Sequence, residues 1–134
     1  MLEPGAVATA TITVSGGDLA TVLNQTPEDG FPAVLATARM VGLMELAASR
    51  AMRAALGAGE LSVGVSLDVS HGAATPIGVQ VTAQAKFTGK DGKLFVFDVS
   101  ASDAGGEIGR GTHRRAIVTA ERLVQGALRR NASA

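Results

Sequence analysis

Alternation dominates the chain. Ala6 to Val14 sets Ala8, Ala10, Ile12 and Val14 against Thr9, Thr11 and Thr13, the period of a half-buried strand. Ser15-Gly16-Gly17-Asp18 breaks it, and the stretch to Gly30 predicts a turn of helix at most and then a loop. From Phe31 to Leu56 the period changes to threes and fours, with Val34, Ala38, Val41, Met44, Ala48, Met52 and Leu56 on one stripe and Arg39, Arg50 and Arg53 opposite. This predicts a long helix with Pro32 in its first turn, ended by Gly57 and Gly59. Its small residues Ala36, Gly42 and Ala47 allow a sheet to pack close to its backbone.

Four further strands are predicted. Leu61 to His71 places Val63, Val65, Leu67, Val69 and His71 on one face, and Val79 to Phe87 places Val79, Val81, Ala83, Ala85 and Phe87 inward. Lys90-Asp91-Gly92 turns the chain into Leu94 to Ala101, and Ala104-Gly105-Gly106 turns it again into Glu107 to Val118. Glu121 to Arg130 ends the chain as a short basic helix or tail. Short connections make the last four strands antiparallel neighbours. The expected fold is α+β, one domain over residues 1–134 with 120–134 as helix or tail, in which one long helix is wrapped by an antiparallel sheet of about five strands.

Composition narrows the function classes. Twelve basic and twelve acidic side chains cancel and aromatic residues make up only 3%, so neither the field nor the stacking surface of a nucleic-acid binder is expected. There are no cysteines, which removes thiol nucleophiles and thiolate metal sites. No apolar stretch is long enough to span a bilayer, and the N-terminus lacks the pattern of a secretory leader, so a cytoplasmic protein is the expectation.

Three side chains carry candidate chemistry. Glu45 sits within the central helix between Met44 and Leu46, and residue type alone reads it as a solvated carboxylate beside the apolar stripe. His71 closes a strand on its apolar face and is followed at once by Gly72-Ala73-Ala74-Thr75-Pro76, a place where reactive groups gather. Thr37 reads singly as an ordinary helical threonine. Together a hydroxyl, a carboxylate and an imidazole supply the parts for activating a nucleophile or water. Eight residues of ideal helix rise about 12 Å, so Thr37 and Glu45 cannot touch within one unbroken helix. Either Thr37 belongs to an irregular lead-in or the group is completed across a subunit boundary. His113 and Arg115 share a side of the last strand with Ile117, as a solvated edge or as partners of an anionic group. The Gly-rich Glu107 to Thr112 is neither a Walker nor a dinucleotide loop, and its small residues let a strand pass close to something else.

The segments Phe31-Pro32 with Ala36-Thr37, Met40 to Glu45, Val69 to Pro76, and Glu107-Ile108-Gly109 with Gly111-Thr112-His113-Arg115-Ala116 resemble the fluoroacetyl-CoA thioesterase family, a branch of the hotdog-fold acyl-CoA thioesterases. The resemblance covers nearly the whole chain. It implies a hotdog fold, a homodimer with active sites near the subunit interface, and hydrolysis of an acyl-CoA without a metal or other cofactor, CoA being part of the substrate. It assigns Thr37, Glu45 and His71 to the family's catalytic trio, Gly64 and Arg115 to the surroundings of the acyl group, and Phe31 to a lid over the pocket. The family's lid is richer in bulky side chains than Thr26-Pro27-Glu28-Asp29-Gly30, which points to a general short-chain acyl-CoA. A non-catalytic module that binds acyl-CoA and an enoyl-CoA hydratase or dehydratase are the alternatives on the same fold.

Overall fold

The computed structural model describes residues 1–133. Strand β1 (Val7–Thr13) is followed by three short 3-10 turns at Gly16–Asp18, Ala20–Leu23 and Pro27–Asp29, then helix α1 (Thr37–Met52), which tightens into a 3-10 turn at Arg53–Ala55. Strands β2 (Glu60–His71), β3 (Gln80–Asp91), β4 (Leu94–Asp103) and β5 (Gly106–Thr119) come next, and helix α2 (Ala120–Asn131) closes the chain. The strands form one antiparallel sheet in the order β1-β3-β4-β5-β2, with β1 and β2 at its edges.

The sheet curls around α1, as the small residues of the helix led one to expect. Met40, Leu43, Met44, Ala47, Ala48 and Met52 form the core with Ala10, Val81, Ala83, Ala85, Phe97, Val99 and Ala101. These inward positions on β1, β3 and β4 are the ones the alternation predicts. The hairpin between β3 and β4 turns at Gly92, whose φ of +62° suits a residue without a Cβ.

Two expectations need correction. The regular helix begins at Thr37, not Phe31, because residues 34–36 are held extended by other partners. The Ala20 amide donates to the Val34 carbonyl, the Leu35 amide to the Thr75 carbonyl and the Ala36 amide to the Asp18 carbonyl. Pro32 therefore lies in the lead-in, and the buried stripe is rotated, with Met40 and Leu43 inside and Ala38 exposed.

The second correction concerns β2. Its strict alternation is interrupted by a β-bulge between Gly64 and Ser66. Ser62 and Gly64 point inward before the bulge, Leu67 and His71 share the inward side after it, and Val65 at the bulge is 53% exposed. One extra residue has exchanged the parity of the strand.

Candidate active site

Asp18 organises the approach to α1. Its carboxylate accepts the Ser15 amide at 2.9 Å and pairs with Arg39 Nε at 2.8 Å, which tethers the first 3-10 turn to the first turn of the helix. These donors, the Ser15 amide first and Arg39 next, hold its carboxyl below the ordinary range. The contribution is fully present above the unfolded value near 3.8 and is lost as pH falls through the lowered folded value. Asp18→Asn is expected to lower stability by about 1–2 kcal/mol, the scale of hydrogen bonds to a charged group. Thermal unfolding at pH 7 and pH 3 checks this, since the gap between variant and parent narrows at the lower pH.

The loop after His71 is clamped from the other side. The Gly72 amide donates to the Ile108 carbonyl. The fully buried Thr75 donates its hydroxyl to Asp103 at 2.7 Å, and that bond is the leading cause of the depressed Asp103 carboxyl. Both sides of the site are thus fixed before any candidate side chain is placed.

Between these clamps, Thr37 Oγ1 and His71 Nδ1 lie 2.8 Å apart. His71 Nε2 is buried with no hydrogen-bond partner among the described residues. The pair lines a cavity of about 320 Å³ whose wall includes Leu23, Phe31, Val34 and Leu35. Phe31 is 44% exposed at this cavity, and its amide is held by Asn24 Oδ1 at 2.9 Å.

Glu45 is not part of that pair. Thr37 is the first residue of α1, so the irregular lead-in ends before it, and eight residues of helix separate the two side chains by about 12 Å along the axis. Glu45 instead faces Gly64 and Arg115, with its Oε2 3.4 Å from Arg115 Nη1. A Cβ on Gly64 would stand 2.6 Å from that oxygen, so the glycine is what leaves room for the carboxylate. The Glu45 side chain keeps 39% exposure while Arg115 keeps 6%. The expected trio is therefore split within one chain into a Thr37–His71 pair and a Glu45–Arg115–Gly64 group.

The solvated-edge reading of His113 and Arg115 is overturned. His113 is 0% exposed and Arg115 5%, and burial is the leading cause that lowers the pKa of each. Arg115 donates from Nε to Ser62 Oγ at 2.9 Å and from Nη2 to the Ser62 carbonyl at 2.7 Å. Ser62 was not legible as a site residue. The inward set His113, Arg115 and Ile117 was legible, but matching it to Ser62 requires the bulge. The Gly-rich stretch behaves as expected, since a Cβ on Gly109 would meet the Ser70 carbonyl at 2.6 Å and Met40 Sδ at 2.7 Å. Among the described residues no group of three or more His, Cys, Asp or Glu is placed to hold a metal, and no helix is long and apolar enough to cross a membrane.

Residues 18–121 match the family described as the fluoroacetyl-CoA-specific thioesterase FlK. A fluoroacetyl-CoA thioesterase of Streptantibioticus cattleyicolor is 48% identical over 93 residues, 69% of this chain and 67% of that protein. The structure of a mutant of the fluoroacetyl-CoA thioesterase FlK in complex with acetyl-CoA superposes with a TM-score of 0.90 at 37% identity, over 96% of this chain and 98% of that one. A hot-dog-like protein from Thermanaerovibrio acidaminovorans superposes with a TM-score of 0.80 at 25% identity, over 96% and 92% of the two chains. The helix wrapped by the five-stranded sheet is the hotdog fold.

Proposed function

The chain belongs to the fluoroacetyl-CoA-specific thioesterase family, a family of thioester hydrolases, and from that premise we propose that it hydrolyses a short-chain acyl-CoA to the free acid and CoA. The observation that carries this reading is the 2.8 Å contact of Thr37 Oγ1 with His71 Nδ1 on the wall of a small, mostly apolar cavity. A hydroxyl against an imidazole is the arrangement that removes a proton from a nucleophile. About 320 Å³ lies at the small end of ligand pockets and suits a short acyl group.

In the proposed mechanism an oxygen nucleophile, water or Thr37 Oγ1, attacks the thioester carbonyl and its proton passes to His71. The amides at the start of α1 stabilise the developing oxyanion, because partial positive charge collects at a helix N-terminus. The carbon–sulfur bond then breaks, and His71 returns the proton to the CoA sulfur. If Thr37 has attacked, water cleaves the acyl-enzyme in a second round. Glu45 either serves as general base beside His71 when water attacks, or attacks in place of Thr37 to form an acyl-enzyme that water likewise cleaves, with Gly64 and Arg115 around the acyl group and Phe31 over the pocket.

The split within one chain favours a homodimer in which Glu45 of one subunit completes the Thr37–His71 pair of the other. Two features support this. Glu45 keeps an open side, and β2, which carries both Gly64 and His71, is an edge strand with exposed Val65 and Leu67. A cytoplasmic setting, where CoA thioesters are made and consumed, fits the same reading, with residues 1–134 acting as one catalytic domain.

A panel of acyl-CoA thioesters that includes acetyl-CoA and fluoroacetyl-CoA, followed by free-thiol release, tests the proposal. Turnover that falls with chain length is expected. Saturable binding without thiol release would make the protein a binding module, and enoyl-CoA hydration without thiol release would make it a hydratase.

A further inference from the structure

His113 is a fully buried ionisable group that takes no part in the chemistry described above. Its hydrogen-bond partners fix its protonation state. A carbonyl only accepts, so the hydrogen between the ring and the Ser66 carbonyl, 2.9 Å apart, is on Nδ1. A guanidinium only donates, so Nε2 offers its lone pair to Arg115 Nη1 at 3.0 Å. The ring is the neutral Nδ1–H tautomer.

Arg115 is anchored on its other side by Ser62. Nε and Nη2 are taken by Ser62, which leaves the two hydrogens of Nη1 for His113 and Glu45. Accepting one of these hydrogens fixes the direction of the other. The Ser66 carbonyl that anchors the ring belongs to the segment whose register shifts at the β2 bulge.

We propose that His113 is a positioning residue of the active site, its neutral ring tied to the bulged strand and aiming the Arg115 guanidinium at the Glu45 carboxylate. The proposal rests on the reading of Glu45 as a catalytic group. Every element around the ring fits the role. Glu45 on α1 and Arg115 on β5 are the charged groups that face it, β2 contributes Ser66 and the open space at Gly64, and β4 places Phe97 opposite it in the ladder. Burial is the leading cause that lowers the pKa of the imidazole, and Arg115 adds to it against the opposing pull of the Ser66 carbonyl and Glu45.

Two variants separate the two bonds of the ring. Gln reaches the Nε2 position with an oxygen that accepts from Arg115, whereas Asn reaches the Nδ1 position with an amide that donates to Ser66 and leaves Arg115 without an acceptor. His113→Asn is expected to lower kcat about tenfold, the scale of one hydrogen bond to a charged group, and His113→Gln to retain most of it. Two readouts do not depend on turnover. The chain has two His residues, so 15N-histidine spectra of His71→Asn report His113 alone, and a neutral Nδ1–H ring is expected at pH 6. The Arg115 guanidinium should give separate Nη signals in the parent and in His113→Gln and averaged signals in His113→Asn. Equal kcat in the two variants, an Nε2–H or doubly protonated ring, or unchanged Arg115 signals in His113→Asn would each overturn the proposal. Absence of thioesterase activity in the parent would count against the proposed function alone, because the spectroscopic readouts remain.

Discussion

His71→Ala and Glu45→Gln are each expected to lower thioester turnover at least about a hundredfold, the usual scale for losing an acid or base, with little change in thermal unfolding. The reason is positional. His71 Nδ1 lies 2.8 Å from the Thr37 hydroxyl, and in the proposed reaction Glu45 would supply the carboxylate from the other half of the split site. Mixed dimers of the two variants distinguish how those halves meet. If Glu45 acts on the Thr37–His71 pair of the other subunit, one active site in a mixed dimer carries both substitutions and the other carries neither. Such dimers, purified with two different affinity tags, should recover about half of the parent turnover from two nearly inactive proteins. Recovery of nothing would confine the three groups to one chain. Unchanged turnover in both single variants would remove the mechanism altogether.

Gly64→Ala is expected to be comparably damaging to turnover and nearly silent for stability. Its Cβ would stand 2.6 Å from Glu45 Oε2 and 3.1 Å from His113 Cε1. The first of these atoms is the end of a side chain that can move, so the fold accommodates the methyl group by displacing the carboxylate. Displacement of a reacting group by about 1 Å costs on the order of a hundredfold in rate. Gly109→Ala is the control, because the added carbon meets the Ser70 carbonyl, which is backbone and cannot swing away. That variant should lose thermal stability first and activity only with it. A Gly64→Ala protein with parental kcat would show that Glu45 does not need its observed place.

Much of this was legible in the sequence. Val81, Ala83, Ala85 and Phe87 face inward on β3, and Phe97, Val99 and Ala101 do so on β4, because a strand half-buried in a sheet has no other way to satisfy a period of two. Thr37, Glu45 and His71 were expected as one group, of which Thr37 and His71 are in contact within the chain. The start of α1 was misplaced by six residues because Val34, Leu35 and Ala36 bond to Ala20, Thr75 and Asp18, which are distant in sequence. The network of Ser62, Ser66, His113 and Arg115 was hidden for the same kind of reason. It depends on a register shift between β2 and β5, and period-two reasoning along one strand cannot see a slip that only its partner defines.

That slip has a consequence for how the protein can change. In an unbroken ladder Gly64 and His71, seven positions apart, would lie on opposite faces of the sheet, and the carboxylate end and the imidazole end of the site could not share one interior. Straightening the bulge with every residue kept would turn one of the two ends outward as a block, whereas removing Val65 leaves six positions between them and a regular ladder with both ends on the inner face. Residues 60–64 and residues 66–71 therefore behave as two separately adjustable halves, joined by a single spacer residue whose chemistry matters little. Substitutions at Val65 should be widely tolerated there, and its deletion should keep both ends facing inward.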